Sequence, residues 1–468
     1  MSDHQSPQVF VRRTRLAASA DEVFRWHERS GAIQRLMPPW ERAEVVEHSG
    51  IQDGAIAVIK VYFGPVPILF VVRHSGYIAG RQFRDTQVEG PFARWEHTHR
   101  FEPDGEQGCV LEDRIEYELP GGPLGEALGG DYFRSQLDRL FDYRHRVTAQ
   151  DLAAHAAYEG VPMKILLTGS HGLIGSDLQP FLTTGGHSVE PLQRGKTTNA
   201  GHGVFWDPAE GSLERDKLEG FDCVVHLAGE SIVGRWDEEK KRKIRDSRAK
   251  GTRLLSEALA KLERLPRALV CASAVGYYGN RGDEVLTEES PAGDNFLAAV
   301  CREWEAATAP AAEAGIRVVN LRFGVVLSPR GGALEKILLP FEFGLGGEVG
   351  SGRQCWSWIA IDDAVGAIHH ALITDALRGP ANAVAPHPIT NHEFTKTLGA
   401  LLSRPTLLPT PEFAARFAFG EMADELLLAS ARVEPARLRQ TGYRFRFPEL
   451  EEALRHLLGK PRVRAARA

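Results

Sequence analysis

MKILLTGSHGLIG, residues Met163–Gly175, sets the reading of this chain. The apolar run Ile165–Leu167 predicts a buried strand. Gly169, Gly172 and Gly175 follow, and a helix-compatible segment runs on to Gly185-Gly186. This is the strand–turn–helix opening of a dinucleotide-binding unit. One glycine bends the chain, one lets backbone approach a pyrophosphate, and one lets helix pack on strand. The helix N-terminus then offers free N–H groups and a positive dipole end to phosphate. The motif starts deep in the chain, so a separate domain is expected in front of it. Met163-Lys164 reads like the start of a free-standing protein, with the preceding residues an added module.

Beyond the motif, apolar strands alternate with helices. Strands are predicted at Ser188–Leu192, His202–Trp206, Cys223–Leu227, Ala268–Ala272, Arg317–Leu321 and Gly379–Ala385, with helices at Ser176–Thr184, Asp237–Leu262 and Ala333–Phe343. That alternation predicts a doubly wound parallel sheet, whose ligands sit at the carboxyl ends of its strands. Gly169, Arg194, Ala228-Gly229 and Ser273 should therefore converge on one cleft. Gly344–Gly352 reads as a mobile loop over that cleft, and Asp362 as the N-cap of a helix over Asp363–Ile373. Thr390 and Glu393 form a capping-box pattern. Short helices are expected over Pro411–Leu458.

The front of the chain has another rhythm. A strand at Val9–Leu16 precedes a helix capped by Ser19. Six alternating segments follow between Ala43 and Glu118, then a long helix over Leu124–Ala157. Period-2 segments separated by Gly, Pro and Asp indicate an antiparallel meander. Trp95, His97, His99 and Arg100 interleave on one strand; solvent exposure of alternate residues is the expectation, and a polar cavity end the alternative. The domains expected are 1–158, 163–405 and 406–460.

The chain has 468 residues, 43% apolar and 25% charged, with a net charge of −6. These values fit a globular protein and argue against a nucleic-acid partner. The basic residues of helix 237–262 are interleaved with acids, which reads as a solvated face, and the basic tail Lys460–Ala468 reads as a frayed end. No stretch reaches the ~18 apolar residues of a membrane span. The N-terminus lacks the apolar core of a secretory signal. The five cysteines form no C-x-x-C pair, so neither a disulfide framework nor a metal site is expected, and a cytoplasmic location follows.

Several segments together carry a resemblance. TGSHGLIG (168–175), HLAGES (226–231), KGTRLLSEAL (250–259), ASAVGYYG (272–279), LTEESP (286–291) and LRFGVVLSP (321–329) resemble the extended short-chain dehydrogenase/reductases. More closely, they are similar to the atypical NAD-dependent epimerase/dehydratase-like subfamily with a small C-terminal domain. The front domain resembles the START-like lipid and polyketide-cyclase superfamily through its helix-grip order of elements. The fold expected is thus an α/β Rossmann sheet preceded by an α+β helix-grip domain. The first resemblance implies a cofactor held along Thr168, Gly169, Ser170, His171, Gly172, Leu173, Ile174 and Gly175, and by Leu227, Ala228, Gly229, Ala272, Arg322, Phe323 and Gly324. The second implies a small hydrophobic ligand.

The charge at the end of the second strand favours NADP, with NAD as the alternative. An NAD site places an acid there on the ribose hydroxyl; here Leu192-Gln193-Arg194 ends the strand, and Arg194 suits a 2′-phosphate. Catalysis fits less well. The family pairs a Ser with Tyr-x-x-x-Lys. Ser273 matches the serine, but Leu297 and Cys301 stand where Tyr and Lys belong, and Arg248 where Asn is common. Tyr277 or Tyr278 could replace the phenol; a reaction without Tyr could use Cys301 or Asp283; or the domain binds NADP without turnover. The expected function is an NADP(H)-dependent oxidoreductase or epimerase on a small-molecule substrate, with an NADP-sensing regulator as the alternative.

Overall fold

The computed structural model describes residues 7–158, 160–195 and 203–461. His202 and the basic tail beyond residue 461 lie outside them. The chain divides into two compact units. One holds the chain to Gly160 with Thr183–Gly186 and the chain from Leu458; the other holds Val161–Leu182 and His187–Leu457.

The first unit runs β1 (Gln8–Leu16), α1 (Ala20–Glu28), α2 (Ala32–Arg35), β2 (Ala43–His48), β3 (Ile56–Phe63), β4 (Val66–Ile78), β5 (Gln82–Glu89), β6 (Arg94–Pro103), β7 (Cys109–Glu118) and α3 (Gly122–Ala156). Its antiparallel sheet has the order β1-β7-β6-β5-β4-β3-β2. α1 starts at the N-cap expected, Ser19, and the structure adds a capping box there, Ser19 accepting from the Glu22 amide and Glu22 accepting from the Ser19 amide. α3 presents Phe133, Leu137, Phe141 and His145 at four-residue spacing, which puts them on one face. Leu137 and Phe141 pack with Phe10, Trp95, Ile115 and Tyr117 from the sheet. This is the helix-grip arrangement.

β6 corrects one expectation. Trp95, His97, His99 and Phe101 alternate and are all buried; only Arg100 of the interleaved set faces out, toward Glu112. The pleat turns both histidines inward because Trp95 and Phe101, on the same face, must be buried with them.

The second unit runs β8 (Lys164–Thr168), α4 (Leu173–Thr184), β9 (Ser188–Arg194), β10 (Val204–Asp207), β11 (Ser212–Leu213), β12 (Cys223–His226), α5 (Glu238–Leu259), β13 (Ala268–Ala274), β14 (Val285–Leu286), α6 (Phe296–Ala306), α7 (Ala309–Glu313) and β15 (Arg317–Phe323). It continues through β16 (Val325–Leu327), α8 (Gly332–Glu342), β17 (Cys355–Trp356), β18 (Trp358–Ala360), α9 (Ile361–Ile373), β19 (Gly379–Ala383), β20 (Ile389–Thr390) and α10 (Asn391–Leu402). α11 (Glu412–Phe419), β21 (Arg432–Val433), α12 (Ala436–Gln440) and α13 (Leu450–Leu457) complete it. The main sheet has the order β11-β10-β9-β8-β12-β13-β15-β19, parallel except for β11. The strand order reverses at β8/β12, the switch point of a Rossmann sheet. Charged α5 residues pair with acids, as in Lys243–Glu239, Lys250–Asp246 and Arg253–Glu257, in keeping with a solvated face.

Two further expectations change here. Ala360, not Asp362, is the N-cap of α9. Asp362 and Asp363 lie inside its first turn and point into the protein, where Asp362 meets His456 and Asp363 accepts from the Arg446 and Phe447 amides. Segment 344–352 is tied down, with the Val349 amide on Asn391 and the Gly350 amide on the Thr410 carbonyl. The Thr390–Glu393 capping box is present. No helix among the described residues is long and apolar enough to cross a membrane.

In the first unit Arg35 grips Asp151 through two parallel bonds of 2.8 and 2.9 Å, with both side chains buried. Removing one partner strands a buried charge. Arg35→Met should lower stability by about 3–5 kcal/mol. The double variant Arg35→Met/Asp151→Leu should recover most of that loss. Urea unfolding of the full chain checks both.

Candidate functional site

The glycine turn stands where the sheet reverses. Gly169 has φ +71°, and a Cβ there would lie 2.8 Å from the Leu227 carbonyl carbon, so β8 and the end of β12 touch backbone to backbone. A Cβ on Gly175 would strike the Gly169 carbonyl and the Ser170 backbone, so α4 sits directly on the turn. His171 and Gly172 are exposed and Leu173 and Ile174 half-buried at the start of α4. Arg194 is exposed at the carboxyl end of β9, the strand beside β8. Leu227, Ala228 and Gly229 follow β12 at the same edge.

Thr168 is placed differently from the reading given above. It is fully buried, and its hydroxyl accepts from the Leu227 and Ala228 amides at 3.0 and 3.1 Å. Its own proton therefore goes to His226 Nδ1, 2.7 Å away, and His226 Nε2 donates to Thr252 at 2.9 Å. Burial pushes His226 down to about 4, in keeping with this neutral tautomer. Thr168 thus locks the turn to the neighbouring strand, where the sequence placed it on the cofactor.

Ser273 lies at the carboxyl end of β13. Its hydroxyl donates to Glu305 of α6 at 2.7 Å. Arg322 binds both Glu305 oxygens at 2.8 Å, donates to the Tyr278 hydroxyl at 2.9 Å and lies 3.5 Å from the Tyr277 ring centre. Tyr278 donates in turn to Asn382 at 2.7 Å. Burial pushes the Tyr278 phenol up to about 12 despite the nearby guanidinium. Tyr278 is fully buried with its hydroxyl engaged on both sides. Arg322 and Phe323 are buried, and a Cβ on Gly324 would strike the Ser357 carbonyl. Arg322 thus holds Glu305, the partner of Ser273, from below. Ala272 is buried beside Ser273, and Tyr277 is half-buried.

Leu297 and Cys301 line α6 against Gly276, with the Cys301 thiol 3.7 Å from the Ala274 carbonyl. Burial, then Glu305, pushes that thiol up to about 12, so it is a packing residue. Asp283 is exposed on the following loop. Arg248 is held against the Glu230 and Ile244 carbonyls. Glu305, Asn382 and His226 escaped the sequence reading, since nothing local marks them as partners of Ser273, Tyr278 and Thr168.

The first unit encloses a cavity of about 600 Å³ between α3 and the sheet, lined by Ile59, Phe70, Val72, Trp95, Leu137 and Leu140 among others. At one end stand His27, His74, Asp85, His97 and His99. Strand register assembles the last three. Asp85 on β5 pairs across to His97 on β6, and His99 pairs across to Asp113 on β7. Asp113 accepts from His97 Nε2 at 2.8 Å and from His145 Nε2 at 2.6 Å. Burial opposes charge on His99, but Asp113 and Asp85 outweigh it and raise the ring to about 9. Burial lowers His27 to about 4.

Comparison with known proteins places these features. The family model described as NAD dependent epimerase/dehydratase family matches residues 165–382. The model for polyketide cyclase / dehydrase and lipid transport matches 16–142, and a domain of unknown function, DUF1731, matches 410–457. An epimerase family protein of Mycobacterium bovis, Mb2239, is 43% identical over 298 residues, which are 64% of this chain and 98% of that protein. A crystal structure described as the nucleoside-diphosphate sugar epimerase from Corynebacterium glutamicum is 35% identical. It has a TM-score of 0.79 and covers 96% of this chain and 90% of its own. The human epimerase family protein SDR39U1, solved with NADPH, is 36% identical with a TM-score of 0.59, covering 63% of this chain and 99% of its own.

All five cysteines are free and buried. A thiol reagent should therefore find almost no reactive group in the native protein and five after denaturation. Fast labelling of Cys301 in the native state would contradict the packing role.

Proposed function

Given that the chain belongs to the NAD-dependent epimerase/dehydratase family, we propose that its second unit is an NADP(H)-dependent enzyme acting at a hydroxyl or carbonyl carbon of a small, nucleotide-sugar-like substrate. The observation that carries this reading is Ser273, held at the carboxyl edge of the sheet with its proton on Glu305. The residues present fit the cofactor. The Gly169–Gly175 turn has no room for a Cβ at either end and leaves His171 and Gly172 exposed at the α4 N-terminus. That is a seat for pyrophosphate. Arg194 would hold the 2′-phosphate, and in the sequence of that strand no acid follows Glu190 to favour NAD. Leu227, Ala228 and Gly229 would flank the nucleotide. The human relative was solved with NADPH, and the Corynebacterium relative is described as a sugar epimerase.

Bound NADP(H) supplies hydride exchange. The chain's own groups do the rest. Because Ser273 donates to Glu305, its lone pairs are left to accept from a substrate hydroxyl. Arg322 holds both oxygens of Glu305, which fixes the direction in which Ser273 points. Tyr277 would exchange the proton of that hydroxyl, since the Tyr278 phenol is engaged by Arg322 and Asn382. The apolar cavity of the first unit would hold a hydrophobic ligand.

Leu297 and Cys301, in place of the usual Tyr and Lys, favour a second reading, NADP binding without turnover. The variants separate the two. Ser273→Ala and Tyr277→Phe should each lower kcat about 100-fold with NADPH affinity unchanged. Wild-type protein that binds NADPH but oxidises it with no nucleotide sugar or small carbonyl would establish the binding reading. Separately, Arg194→Ala should weaken NADPH about 10–100-fold, the loss of a charge-assisted contact, and leave NADH unaffected in a fluorescence titration.

A further inference from the structure

The histidine–aspartate cluster in the first unit makes a claim of its own, independent of the nucleotide site. Sequence gave no reason to expect a metal there. The oxygen of Asp85 and one nitrogen each of His97 and His99 lie within 4.8 Å of one another, and all three residues are buried. His99 Nε2 is 3.1 Å and His97 Nδ1 3.4 Å from the same Asp85 oxygen. With metal–ligand bonds of ~2.0–2.1 Å, neighbouring donor atoms stand about 2.9–3.4 Å apart in octahedral or tetrahedral geometry. The two spacings to Asp85 match such edges, and the two histidine nitrogens lie within 4.8 Å of each other.

The opposite nitrogens face a second carboxylate. His97 Nε2 is 2.8 Å and His99 Nδ1 2.6 Å from one Asp113 oxygen, the latter off the line of a hydrogen bond. The other Asp113 oxygen accepts from His145 Nε2, while His145 Nδ1 meets the Thr14 hydroxyl at 2.7 Å. A neutral imidazole carries one N–H. Each of His97 and His99 has both nitrogens against carboxylate oxygens, one toward Asp85 and the other toward Asp113. A cation on the Asp85 side would take one nitrogen of each ring. It also leaves Asp113 as the outer carboxylate that orients ligating histidines.

We propose that Asp85, His97 and His99 bind a divalent transition metal, with Asp113 orienting both histidines. Two nitrogens and one carboxylate, with the remaining positions open, suit Zn²⁺, Fe²⁺ or Co²⁺. The open positions face the apolar cavity, so the fitting partner is a small hydrophobic molecule that presents an oxygen donor to the metal.

The test uses the full chain, stripped with chelator and reconstituted with Co²⁺ or Zn²⁺. One equivalent per chain is expected by elemental analysis, with visible d–d bands for Co²⁺ and a higher melting temperature with either metal. Asp85→Ala and His99→Ala should lose the stoichiometric metal and the bands. Asp113→Asn should weaken binding about 10–100-fold. Circular dichroism and NADPH titration identify any variant that has simply failed to fold. His97→Gln, a milder change, should then lose the bands in a folded protein. Less than a tenth of an equivalent in wild-type protein would overturn the proposal, as would stoichiometric metal that survives the Asp85, His97 and His99 substitutions.

Discussion

The hydroxyl of Thr168 holds the second unit at the point where its sheet reverses. It takes two backbone protons from the next strand and gives its own to a buried imidazole, which passes the link to Thr252 on α5. Three elements are joined by one side chain. The contact works only because Gly169, the next residue, has no Cβ to separate β8 from the end of β12. The turn over which a phosphate would sit is thus set by groups lying beneath it, none of which needs to touch a ligand.

The same division runs through the Ser273 cluster. From the buried hydroxyl of Ser273, a carboxylate, a guanidinium, a phenol and an amide form a chain reaching Asn382 on β19, two strands away. Arg322 and Glu305 are a buried pair joined by two bonds. A buried pair of this kind contributes little net stability against an apolar alternative, but breaking it is costly. Its value lies in geometry, since it fixes Ser273 from below.

Local signals in the sequence translated directly into structure. The three glycines, the capping boxes at Ser19 and Thr390, and the alternation of strand and helix are interactions between near neighbours. What could not be read was which face of an element is inside when both faces are polar. On β6 the inner set is Trp, His, His, Phe and the outer set Glu, Thr, Arg, Glu; only the aromatic ends mark the difference. Tyr277 and Tyr278 posed the same problem, because the tight turn over Val275–Tyr278 sends adjacent phenols to different surroundings. Arg322 sits in a strand whose every residue is buried, and its partner Glu305 lies on α6, a separate element. Asp362 failed as a cap for a related reason. The helix begins one turn of logic earlier, at Ala360, and both acids serve contacts far along the chain.

Those contacts bear on the C-terminal segment. Asp363 is buried, and its carboxylate takes the Arg446 and Phe447 amides and the Tyr443 hydroxyl. Burial still raises it to about 6. Without residues 443–447 the helix that leads into β19 would carry an acid with none of these donors. The segment between α12 and α13 thus supplies the donors that satisfy this acid of α9. Loss of that segment would leave a buried acid unsatisfied in α9 and so weaken the helix and the strand it leads into.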